Sequence, residues 1–208
     1  MSEASEISSY KTVGGKGYAE YRDKGSLFMG YVFPLNDTNE LKPILLDLKK
    51  QHPKANHHCF AYRIGTDMLQ FRANDDGEPS GSAGKPILGQ IDSRGLTDVL
   101  VVVVRYFGGT LLGVPGLIQA YKTTTSLALQ VTPELQKPIV SKFEIECGYD
   151  QVNDIFTLLH KHDGLKVDIE QGLFCKMIVA VPVTKRRGFD LALGDMKGIS
   201  YHLLQQKK

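Results

Sequence analysis

The residue types that do chemistry crowd into two stretches. The first is Asp75-Asp76-Gly77-Glu78-Pro79-Ser80-Gly81-Ser82-Ala83-Gly84-Lys85-Pro86, which sets three carboxylates, two hydroxyls and three glycines between a strand pattern and an apolar run. Clustered carboxylates could hold Mg²⁺ through oxygen ligands or share a proton, and N–H groups at a helix start could hold an anion. The stretch is not a Walker A loop, because Pro79 stands where the first glycine should be and Pro86 where Ser or Thr should be. The second stretch, Arg105-Tyr106-Phe107-Gly108-Gly109-Thr110-Leu111-Leu112-Gly113-Val114-Pro115-Gly116, leads from an apolar strand into a helix. That is the layout of a phosphate-binding turn, but the glycines do not follow GxGxxG and no acidic residue follows at the dinucleotide spacing. A cation ending an apolar strand is costly to bury alone, so Arg105 is expected to pair with Asp75, Asp76 or Glu78. The plainer alternative makes the first stretch a turn-rich cap, with Asp75 and Asp76 accepting from loop N–H groups and Ser82 capping a helix.

Other candidates are weaker. His57, His58 and Cys59 are adjacent, so a strand would turn them to alternate faces, and no metal centre or cofactor is expected from them. Cys59, Cys147 and Cys175 are far apart with no CxxC pair, which points to a reducing, cytoplasmic setting and inert thiols in strand patterns. GxSxG and HExxH are absent, and no catalytic residue is assigned. Lys185, Arg186 and Arg187 open a helix, where the macrodipole disfavours cations, so this run reads either as a nucleic-acid-binding patch or as a solvated loop.

Positioning these residues requires a folded core. The 208 residues are 42% hydrophobic and 23% charged, which excludes general disorder, and the net charge of +2 excludes a dedicated nucleic-acid coat. No apolar run approaches the ~18 residues of a membrane span, and Met1 to Tyr10 lacks a signal-peptide core. The proline-bracketed stretch Thr132 to Pro138 marks a break between a domain at 1–134 and another at 137–208.

In the second domain, period-2 runs at Phe143-Ile145-Cys147, Leu165-Val167-Ile169, Met177 to Val183 and Ile199-Tyr201-Leu203 predict four strands. Helical spacing at Val152-Ile155-Phe156-Leu159 and Phe189-Ala192-Leu193-Met196 inserts two helices, giving a ferredoxin-like βαββαβ unit. Its polar face offers Lys142, Glu144, Glu146, Lys166, Asp168 and Glu170 but no aromatic, which argues against base stacking there. In the first domain, two or three strands precede a helix starting near Asn39, with Asp37 and Glu40 as its capping box. Strands at His58–Ile64 and Leu69–Ala73 follow, then Val99 to Val104, apolar on both faces and so placed mid-sheet, and a helix over roughly Gly116–Val131.

The run Asp75 to Leu88, followed by Val102-Val103-Val104-Arg105-Tyr106-Phe107-Gly108-Gly109 and Leu112-Gly113, resembles the signature of the YigZ/IMPACT family in its bacterial two-domain form. His58-Cys59-Phe60-Ala61-Tyr62-Arg63 is similar to the strand preceding that signature. The resemblance implies an α+β protein: an N-terminal β-α domain of ribosomal-protein type, then a ferredoxin-like domain similar to those of elongation factor G. It also implies a link to translation. Eukaryotic members restrain a translation-control kinase by competing for its activator through a different appended domain, so that partner is not carried over. The family pattern has a second glycine pair and a helical basic residue where Val114-Pro115-Gly116 and Gln119 stand here.

The expectation is a cytoplasmic, non-enzymatic regulator that binds RNA or the ribosome and its factors. Its candidate ligand surface comprises Asp75, Asp76, Glu78, Ser80, Ser82, Lys85, Arg105 and Lys122, with Lys185, Arg186 and Arg187 as nucleic-acid contacts. A small-molecule or Mg²⁺-dependent hydrolase-like enzyme using Asp75, Asp76 and Glu78 is the rival, and a protein–protein adaptor the third reading.

Overall fold

From Val99 to Arg105 every residue is buried, and the strand they form, β6 (Val99–Tyr106), occupies the centre of a five-stranded sheet. The computed structural model describes residues 8–204. In chain order the first unit, Tyr10–Lys137, contains β1 (Ser9–Val13), β2 (Gly17–Asp23), β3 (Ser26–Pro34), α1 (Leu41–Gln51), β4 (His57–Ile64), β5 (Gln70–Asn74), α2 (Gly84–Ser93), β6, α3 (Gly113–Gln130) and β7 (Glu134–Pro138). The large sheet runs β2-β3-β6-β4-β5 with every neighbouring pair antiparallel, and β1 pairs separately with β7.

The alternation of β6 explains its all-apolar composition. Val99, Val101 and Val103 pack with Ile87 and Ile91 of α2 and Leu117, Ala120 and Tyr121 of α3. Leu100, Val102 and Val104 face the opposite way, onto Leu41 and Leu48 of α1 with Phe60 and Tyr62 of β4. A strand clothed on both faces has no polar side to show.

Local differences from the sequence expectations have local causes. Asp37 accepts from the Asn39 N–H at 2.8 Å, so a 3-10 turn at Thr38–Glu40 precedes α1 in place of a capping box with Glu40. Pro43 then falls in the first turn of α1, where its missing N–H costs nothing. Helix α3 starts at Gly113, three residues early, and Pro115 still lies in its first turn. The stretch Thr132 to Pro138 is not simply a break: it holds β7, whose residues are all exposed and so lack any alternation of burial.

The second unit, from Pro138 onward with the residues around Ser9, contains β8 (Val140–Cys147), α4 (Val152–Lys161), β9 (Leu165–Gln171), β10 (Cys175–Pro182), α5 (Arg186–Asp195) and β11 (Ser200–Leu204). The antiparallel order β11-β8-β10-β9 is that of a ferredoxin-like fold. Phe143, Ile145, Met177, Val179 and Val181 of the sheet close against Ile155 and Leu159 of α4 and Phe189 and Leu193 of α5. The fold is α+β, as expected. No helix among the described residues is long and apolar enough to cross a membrane.

Candidate functional site

Past the end of β5 the chain loops back over the sheet, and Asp75 organises the return. Its Oδ2 accepts from the Gly81 N–H at 2.9 Å, and its Oδ1 from the N–H groups of Ala83 at 3.0 Å and Gly84 at 2.8 Å. The start of α2 is therefore capped from eight residues upstream. Ser82, expected to be that cap, instead donates its hydroxyl to the Pro79 carbonyl at 2.6 Å, because Asp75 has already taken the free N–H groups. Partial burial raises the Asp75 pKa, but the bonds from Gly81, Gly84 and Ala83 and the charge of Lys85 outweigh it and hold the carboxyl below its ordinary 3.8.

A carboxylate with a depressed folded-state pKa contributes stability above its unfolded pKa, and that stability is lost as pH falls through the folded value. We expect Asp75→Ala to destabilise the first unit by about 2 kcal/mol at neutral pH, the upper range for losing a helix cap. The gap to the wild type should close below about pH 4, in urea titrations across that range. A gap of constant size down to acid pH would contradict the assignment.

Asp76 turns back to β4. Its Oδ2 accepts from the His58 N–H at 2.7 Å, its carbonyl bonds His57 Nδ1 at 2.9 Å, and its own N–H bonds Asn74 Oδ1 at 2.8 Å. Glu78 points inward, 8% exposed, onto Arg105, 5% exposed. Arg105 Nη1 donates to Glu78 Oε1 at 2.7 Å, and the Tyr121 hydroxyl of α3 donates to the same oxygen at 2.8 Å. The Arg105 guanidinium lies between Phe28 at 5.3 Å and Phe107 at 5.6 Å, with Ser26 Oγ 3.4 Å from Nη2. Cys59 completes the cluster: its Sγ is 3.0 Å from the Asp75 carbonyl and 3.3 Å from the Tyr121 hydroxyl. Burial pushes the Cys59 thiol and the Tyr121 phenol far above their ordinary values, so both stay protonated.

The acidic loop and the cation ending the valine run thus meet, but as an interior lock. Of the three carboxylates, Asp75 and Asp76 are spent on backbone N–H groups and Glu78 on Arg105 and Tyr121. The turn after β6 is tight for a steric reason: a Cβ on Gly108 would stand 1.9 Å from the Gly25 carbonyl carbon. Ser80, Lys85 and Lys122 are exposed, and Ser82 is buried.

Sequence reasoning does not single out His57, Cys59, Tyr121 and Ser26 as partners of this lock. They come from two strands and a helix, and only the tertiary packing joins them. Among the described residues no three His, Cys, Asp or Glu side chains gather as a metal site.

In the second unit, Lys185 ends a 3-10 turn, and Arg186 and Arg187 are the first residues of α5, all three exposed. Lys185 bridges to Asp163, whose carboxyl it holds below the ordinary value. The His162 ring packs edge-on against Phe189 at 5.6 Å, which brings the C-terminal end of α4 and its His160 and Lys161 toward the same end of the helix layer. The outward face of the sheet pairs Glu144 with Lys176 at 2.9 Å and His202 at 3.6 Å and presents no Phe, Tyr or Trp among its described residues.

Fold and site define a two-unit α+β protein whose larger unit is closed by a buried Glu-Arg-Tyr lock under a glycine-rich loop. The Impact N-terminal domain family matches residues 24–129, which include all of that lock. The chain belongs to the IMPACT family. It is 34% identical over 183 residues to the IMPACT family member YigZ of Escherichia coli (strain K12), covering 87% of this chain and 90% of that one. It is 35% identical over 163 residues to the IMPACT family member YvyE of Bacillus subtilis (strain 168), covering 78% and 75%. Protein IMPACT of Bos taurus is 34% identical over 96 residues, which cover 44% of this chain and 30% of that protein. A crystal structure of a hypothetical protein superposes with a TM-score of 0.77 at 30% identity, covering 97% of this chain and all of that one.

Proposed function

We propose that the protein is a cytoplasmic, non-enzymatic regulator of translation that binds RNA or the translation apparatus, with Lys185, Arg186 and Arg187 facing phosphate. The observation that carries this reading is the exposed cation run at the N-terminal end of α5. The helix dipole makes that position unfavourable for cations by ~0.3–1 kcal/mol each; Asp163 answers Lys185, and an anionic ligand would offset the cost that remains at Arg186 and Arg187. The commitment of Asp75 to backbone N–H groups and of Glu78 to Arg105 and Tyr121 favours binding over hydrolase chemistry, because it leaves Asp76, 34% exposed, as the loop's one accessible carboxylate, where paired carboxylate chemistry needs more than one. Membership of the IMPACT family supports the link to translation.

Phosphate contacts release counterions, so affinity for a ribosomal RNA fragment should fall steeply between about 50 and 200 mM salt. The combined Lys185→Glu, Arg186→Glu, Arg187→Glu protein should bind every RNA sequence more weakly by a similar factor, and the slope of log affinity against log salt should drop by about 3. Gel-shift titrations at several salt concentrations measure both quantities. Binding that ignores salt, or no binding at all, would overturn the proposal.

A further inference from the structure

The outward face of the second unit's sheet offers His202 but no Phe, Tyr or Trp for a base to stack on, whereas the first unit's sheet carries several such rings. On the face shared with α1, β2 and β3 carry Tyr18 opposite Tyr31 and Glu20 opposite Met29, with Phe33 two residues beyond Tyr31. The buried core on this face comes from β4, β6, Leu35 and α1, and only the far side of β2 and β3 is in contact with α3 through the other core. Tyr18 is 43% exposed, and Met29, Tyr31 and Phe33 are half-buried.

The rings are held rather than loose. Tyr18 and Tyr31 have centroids 4.9 Å apart, and Tyr31 and Phe33 lie 6.5 Å apart and nearly parallel at 18°. The Tyr31 hydroxyl is bonded to His52 Nε2 at 2.7 Å, whose Nδ1 is 3.0 Å from the Tyr106 hydroxyl, and the Tyr18 hydroxyl is bonded to Glu20. With their polar ends tied down, what remains for a partner is ring surface.

A cation stands at the Phe33 end of the row and an ion-paired carboxylate at the Tyr18 end. Lys16 Nζ stands 5.6 Å from the Phe33 ring centroid, and Lys49 and Lys50 occupy the last turn of α1 just before His52. The acidic neighbour, Glu20, is answered by Arg22 at 3.9 Å and by the Tyr18 hydroxyl. Rigid aromatics in a row, with Lys16 at one end and Arg22 answering the one carboxylate at the other, suit a ligand that is flat and apolar in its bases and anionic in its backbone. A purely apolar protein partner would not use the cations.

We propose that the half-covered β2–β3 face, through Tyr18, Tyr31 and Phe33 with Lys16, is a stacking platform for the bases of single-stranded RNA. The platform deepens the RNA-binding reading above and is separable from the Lys185–Arg187 contact, because stacking requires unpaired bases and phosphate contact does not.

The test uses the full chain with two probes: a fluorescein-labelled oligouridylate of about a dozen nucleotides and an RNA duplex of equal length. Two exposed-site variants, Tyr18→Phe and Tyr18→Leu, keep the fold and the apolar area, but only the first keeps the ring. Expected is wild-type affinity for Tyr18→Phe and a loss of about tenfold for Tyr18→Leu on the oligouridylate, at unchanged salt slope and with duplex binding untouched. Equal oligouridylate binding by Tyr18→Leu and the wild type would overturn the platform. So would wild-type binding to the duplex alone, which leaves the phosphate contact standing. Failure of the wild type on both probes removes the platform and the proposed function together.

Discussion

Arg105→Met is expected to cost the first unit about 3–5 kcal/mol, the range for removing one partner of a buried ion pair. The loss arises less from the missing attraction than from the survivor: Glu78 would remain a buried carboxylate with the Tyr121 hydroxyl and, at 3.8 Å, the His57 ring to answer it. Methionine keeps most of the side-chain volume between Phe28 and Phe107, so cavity formation contributes little. Pairing Arg105→Met with Glu78→Gln removes the stranded charge, and most of the lost stability should return. Urea unfolding of the wild type and the variants measures the difference. A single variant within about 1 kcal/mol of the wild type would show that the pair is idle.

Two glycines of one helix should respond to alanine with opposite signs. A methyl group added at Gly89 of α2 would meet nothing within 4 Å, so Gly89→Ala should gain roughly 0.5–1 kcal/mol from helix propensity. At Gly84, five residues earlier, the same methyl would lie 2.5 Å from the Asn74 nitrogen and 2.9 Å from its carbonyl carbon. Backbone cannot step aside as a side chain does, and Asp75, next in the chain, holds the helix start in place. Overpacking then exceeds the propensity gain, and Gly84→Ala should lose about 2–3 kcal/mol. Thermal melts of the two variants beside the wild type decide the matter, and a stabilised Gly84→Ala would refute the close approach.

What is legible in the sequence is whatever repeats with a period. The two-faced apolar run of β6, the helix stripes of α4 and α5 and the alternation of β8 and β10 can be read because burial imposes spacing. Strand β7 cannot, since Glu134 to Pro138 bury nothing. Asp75 reads as an acceptor for loop N–H groups, but the helix cap falls to Ser82 in that reading, because capping rules look to the adjacent residue and not eight positions back. An ion pair for Arg105 follows from the cost of a buried cation, and Glu78 proves to be the partner. Tyr121 and Cys59 stay hidden because tertiary register alone brings them there. Topology directs the search for stacking rings to the ferredoxin-like unit. Tyr18 and Tyr31 escape it because their meeting depends on the pairing of β2 with β3.

The small β1–β7 ribbon has its own consequence. The Gly14 N–H bonds the Pro133 carbonyl at 2.7 Å, so the polypeptide enters and leaves the first unit at neighbouring points. The matched region at 24–129 omits both of these strands, and a fragment cut to those limits would also lose β2 and bare the flank of β3. Kept whole, the unit closes on itself: its two ends leave side by side, so a short tether could join them without crossing the domain.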